Sequence, residues 1–208
     1  MWKTVIEQLL KLSLLVSVCI GVQINAASAG SNDTRISLRH PALSALGFAQ
    51  LNVTLNPALA PGETLEVYSN GQLAAGVKTA GFGIKRAAFH IWLVDDGAVE
   101  VRILDASGNT VATKASKIPS DAPRGKSLPP LKQTADRPSV SLLRARKNKV
   151  MFRLQHGLAP GRTGYVDLKG DSGSLTLKAK PYLYKKANIT FYLDRDPGNL
   201  KLASTRSE

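Results

Sequence analysis

The tetrapeptide Leu-Ala-Pro-Gly occurs twice, at 59–62 and at 158–161, inside longer stretches that also match. Leu55 corresponds to Leu154, Thr64 to Thr163, Val67 to Val166 and Gly71 to Gly170, all at a spacing of 99. Further on, IKRAAFHIWL (84–93) matches YKKANITFYL (184–193) at a spacing of 100, and Gly97, Val99 and Val101 match Gly198, Leu200 and Leu202 at 101. Order, spacing and residue type are kept together, so the chain reads as two copies of one unit whose turns have drifted in length. Pro-Gly is what a type II turn requires at its two central positions, so the motif sets register and is not a binding signature.

Each copy reads as β-structure. LNVTL (51–55), ETLEVYS (63–69), FHIWL (89–93) and VEVRI (99–103) alternate apolar and polar residues, the period of a half-buried strand. Asn70-Gly71, Asp95-Asp96-Gly97 and DASGN (105–109) punctuate them as turns. RISL (35–38) forms a short lead-in strand that His40-Pro41 ends. The expected fold class is all-β: two tandem immunoglobulin-like antiparallel β-sandwich domains, residues 30–118 and 139–208. Between them PSDAPRGKSLPPLKQTADRP (119–138) is a Pro-rich linker, either extended or clamped against one domain. The second copy has no equivalent of TVATK after Lys201-Leu202-Ala203, which leaves a sheet edge to be covered or used.

Residues 1–29 have the three-part pattern of a signal peptide: Lys3 and Lys11, the apolar run LSLLVSVCIGV, then Ala27-Ser28-Ala29. An uncleaved anchor is the rival reading, although the run is short for a membrane span. Cys19 is the only cysteine. Val18 before it does not suit a lipoprotein, and cleavage after Ala29 leaves a chain without thiol chemistry, Cys-ligated zinc, iron–sulfur or c-type haem. Export without disulfides points to a bacterial periplasm.

The charge is uneven. Residues 1–113 carry eight Lys/Arg and eight Asp/Glu, whereas residues 114–208 carry twenty against seven, the whole net charge of +13. That surface favours an anionic polymer, a membrane surface or an acidic protein partner, or is simply solvated; nucleic acid is not expected outside the cytoplasm.

No catalytic constellation is legible, and no cofactor or metal is expected. GDSGS (170–174) lacks the His-containing partner motifs of a serine protease and reads as a hairpin turn. His40, His90 and His156 share no ligand spacing, and DRDPGN (194–199) reads as a turn and not a calcium loop. What recurs is a basic pair before the same strand, Lys85-Arg86 and Lys185-Lys186, with Trp92 and Tyr192 expected together on the face opposite Phe89, Ile91 and Leu93. Arg144, Arg146, Lys147 and Lys149 add charge beside a strand of the second copy. These residues are the candidate partner-binding set; the alternative is a solvated strand start with an aromatic packed across the sheet.

Three stretches, RISLRHPALSALG (35–47), LEVYSNGQLAA (65–75) and GFGIKRAAFHIWL with VEVRILDASGN (81–109), resemble the sandwich subunits of the periplasmic thiosulfate-oxidation carrier complex, SoxZ more than SoxY. The resemblance covers the first copy. It implies a SoxZ-like scaffold or partner subunit, and not the carrier, since SoxY bears its substrate on a cysteine of a Gly-rich arm that this chain lacks.

Overall fold

The computed structural model describes residues 34–43, 48–93, 98–117, 138–183 and 186–208. The signal-peptide pattern, the Asp95-Asp96-Gly97 turn, Lys185 and nearly all of the linker lie outside these residues. The strands are β1 (Ile36–Leu43), β2 (Phe48–Leu59), β3 (Thr64–Ser69), β4 (Gln72–Ala80), β5 (Ile84–Trp92), β6 (Val99–Leu104) and β7 (Thr110–Ser116) in the first copy. The second copy supplies β8 (Ser139–Arg146), β9 (Lys149–Gln155), β10 (Gly164–Gly170), β11 (Gly173–Ala179), β12 (Lys186–Leu193) and β13 (Lys201–Ser207). Described residues form no helix.

The alternation seen in the sequence becomes burial. Leu51, Val53 and Leu55 of β2, Leu65 and Val67 of β3, and Phe89 and Ile91 of β5 are buried, while Thr54 and Arg86 are exposed. Both Pro-Gly turns form as expected: the Glu63 amide donates to Ala60 O and the Arg162 amide to Ala159 O, each at 3.1 Å. Gly62 and Gly161 take φ of 92° and 83°, which a side chain would resist. The Asn70-Gly71 turn has φ of 48° and 72°, the left-handed pair of a type I′ hairpin. GDSGS is a hairpin turn, with Gly170 opposite Gly173.

The strands make two sheets, β1-β2-β5-β12-β9-β8 and β13-β10-β11-β4-β3-β6-β7. Both run across the two copies, which the sequence reading of tandem domains did not anticipate. β5 pairs with β12 and β4 with β11, each antiparallel. Either side of those central pairs the strand order mirrors itself, except that β7 has no counterpart beyond β13. One continuous hydrophobic cluster contains residues of both copies. At the junction Phe191 of β12 packs against Phe89 of β5 at 5.9 Å and Phe152 of β9 at 6.0 Å. Sharing both sheets leaves fewer open edges than two separate sandwiches would, which is the physical reason to merge.

Three expectations need correction. β1 does not stop at His40-Pro41 but continues to Leu43 through a register shift between Arg39 and Ala42; as an edge strand it tolerates proline's missing N–H. Leu202 does not repeat the buried Val101: although it pairs with buried Leu168 it is 45 % exposed, since β13 is the last strand of its sheet whereas β7 flanks β6. The spacing of 99 does not hold along β2 and β9. Phe48 pairs with Trp92 and Lys149 with Tyr192, so strand equivalents here lie 101 apart. The first copy absorbs the extra length where the β2–β5 ladder shifts between Thr54 and Leu59.

Candidate functional site

The outer face of the six-stranded sheet is built from side chains that alternate with the core. Its six strands carry Arg39, Lys85, Arg86, Arg144, Arg146, Lys149, Arg153 and Lys186, and contain no Asp or Glu. Among the described residues no carboxylate pairs with Arg86 or Lys149. Both instead flank one aromatic ring. Tyr192 is the ladder partner of Arg86 on one side and of Lys149 on the other. The Arg86 guanidinium lies 5.1 Å from the ring centroid and Lys149 Nζ lies 5.3 Å from it, both within cation–π range.

Beside this cluster is a groove of about 550 Å³. Its cations are Arg39, Arg86 and Lys149, and its neutral hydrogen-bonding side chains are Ser37, Gln50, Asn52, Thr54 and Thr190. It therefore offers donors and positive charge to a ligand, and no negative charge that would repel an anion.

The candidate residues are only partly brought together. Arg86, Tyr192 and Lys149 converge. Trp92 does not join Tyr192: the two share a face, but antiparallel pairing puts Arg86 opposite Tyr192, and Trp92 lies six residues along β5 from Arg86, about 20 Å away. Trp92 is instead 7 % exposed and edge-on to Phe48, ring centroids 6.2 Å apart, and the same Phe48 ring lies 5.8 Å from His90. Burial lowers the His90 pKa below its ordinary value, despite the contact of Nδ1 with Asn188 O at 3.2 Å. Lys85 and Lys186 are exposed outside the groove, and Lys147 sits in the β8–β9 turn with φ of 49°. Arg144 and Arg146 lie on the edge strand β8 opposite Met151 and Lys149; their side chains are outside the described residues, as is that of His40.

Sequence reasoning missed Arg39 and the polar row of β2. The signal was present as acid-free runs, 34–62, 137–166 and 172–193, which the overall charge balance of the first copy conceals.

The other histidine described, His156, is buried, with Nε2 2.8 Å from Leu183 O. No group of three or more His, Cys, Asp or Glu suited to a metal occurs among the described residues. Comparison with family models, with curated proteins and with solved structures gives no match for this chain.

Proposed function

We propose that the protein is an exported, periplasmic, non-catalytic binding protein that holds an anionic envelope polymer on the outer face of its six-stranded sheet. The observation that carries this reading is the acid-free face, with Arg86 and Lys149 left without carboxylate partners around Tyr192. An ionic face with no carboxylate of its own attracts anions at long range and gives them donors on arrival. A polymer is favoured over a bilayer because the large apolar side chains exposed among the described residues, Val111 and Leu202, lie on the opposite sheet. The scaffold role implied by the SoxZ resemblance draws on strands and turns that sandwiches of many functions share, and it does not call for such a face.

Chromatography on immobilised heparin, a stand-in polyanion, tests the reading. The full chain should be retained at low salt and elute as screening rises, and Arg86→Ala/Lys149→Ala should elute at clearly lower salt. Absence of retention at low salt, or stronger binding to anionic vesicles than to the polymer, overturns it.

A further inference from the structure

Because the sheet is built from two copies, its face should hold two equivalent grooves. It holds one. By the repeat spacing of 100, Arg86 and Tyr192 correspond to Lys186 and Trp92, and the Phe48–Trp92 and Lys149–Tyr192 pairings make Phe48 the counterpart of Lys149. At that second position the aromatic is covered by another aromatic: Phe48 stands edge-on to Trp92 where Lys149 lies over Tyr192. Trp92 is buried, whereas Tyr192 lines an open groove. The exchange of Phe for Lys at one ladder position closes one site with apolar packing and gives the other a second cation.

Resting on the reading above, we infer that the groove takes one acidic sugar unit of a glycan per chain, in a composite site that neither copy can form alone. Arg86 comes from the first copy, Tyr192 and Lys149 from the second, and the polar wall of Asn52 and Thr54 from the first again. Two cations flanking one ring lie within about 10 Å of each other, the length scale of one sugar unit with its charged substituent. The amide and hydroxyl groups beside them, Asn52, Thr54 and Thr190, supply partners for the ring hydroxyls of a sugar. A polyphosphate chain accepts hydrogen bonds but donates none, so it leaves acceptors such as Asn52 Oδ1 unused.

Isothermal titration of the full chain with a heparin-derived octasaccharide, and separately with a short polyphosphate, decides the matter. The expected result is one octasaccharide per chain, about tenfold weaker binding in Arg86→Ala and in Lys149→Ala, and less than a twofold change in Lys186→Ala, the counterpart at the closed position. Polyphosphate should bind more weakly than the octasaccharide. Two equivalents per chain, equal losses in Lys186→Ala and Arg86→Ala, or tighter binding of polyphosphate overturns this inference while the polyanion reading stands. No binding of either probe overturns the parent reading itself.

Discussion

The two outer faces of the sandwich use the same pieces differently. On the seven-stranded sheet each Arg that lies over a tyrosine also has a carboxylate. Arg102 covers Tyr68 at 4.4 Å and pairs with Glu100, while Glu66 accepts from Tyr68 Oη at 2.5 Å. Burial and that hydrogen bond push the Tyr68 pKa up to about 12. In the second copy Arg206 covers Tyr165 at 4.4 Å and pairs with Asp167 at 2.5 Å. On the six-stranded sheet Arg86 and Lys149 flank Tyr192 without any such partner. Neutralised clusters hold a face together, whereas cations left without carboxylates keep their field for something outside the molecule. Under the proposed function, one face serves stability and the other binding.

The largest effect tests whether the faces belong to one cooperative unit. Phe191 is fully buried between Phe89 and Phe152, where the copies meet. Phe191→Ala should cost roughly 3–5 kcal/mol, and calorimetry should still show a single transition. Two resolved transitions would mean that the faces unfold separately and that the shared core does not couple them.

A smaller effect separates the faces. Asp167 accepts from Ser204 Oγ at 2.6 Å, Thr176 Oγ1 at 2.8 Å and Arg206 Nη1 at 2.5 Å. Asp167→Ala leaves all three without that acceptor at a partly buried position and should cost about 1 kcal/mol. Arg86→Ala should stay within roughly 0.5 kcal/mol, because it removes an exposed cation with no ion pair. Denaturant melts of the two variants check this. A loss in Arg86→Ala as large as that in Asp167→Ala would erase the division of labour.

Sequence and structure agree where the determinants are local. Pro-Gly, Asn-Gly and the alternation of LNVTL each act within a few residues, and all are found in place. They part where contacts are long-range. Nothing in IKRAAFHIWL says that it will pair with its own repeat, and antiparallel self-pairing is what sends Trp92 and Tyr192 to opposite ends while delivering Arg86 to Tyr192. The repeat spacing misled for a related reason. LAPG fixes the turns, but Phe48 and Lys149 became equivalent only through a ladder slip that a turn motif does not report. Arg86 and Lys149 were legible as candidate residues and Arg39 was not, and their convergence was a property of topology.

The smallest effect is a pH signature that differs between the faces. Burial tends to raise the Asp167 carboxyl, but the hydrogen bonds from Ser204 and Thr176 and the charge of Arg206 outweigh it and hold the pKa below 3.8. A carboxylate depressed in this way stabilises the fold above its unfolded value, and the contribution is lost as pH falls through the folded one. His90, on the other face, is depressed below 6.5 by burial. The unfolded chain then binds that proton first, so stability begins to fall once pH drops below 6.5 and stops falling below the folded value. Acid titration of the unfolding free energy should therefore show a shallow decline that starts near neutrality and a steeper one below pH 3.8. His90→Gln should reduce the shallow part and Asp167→Asn should reduce the steep part. If His90→Gln leaves the decline below 6.5 unchanged, burial of His90 does not set its protonation.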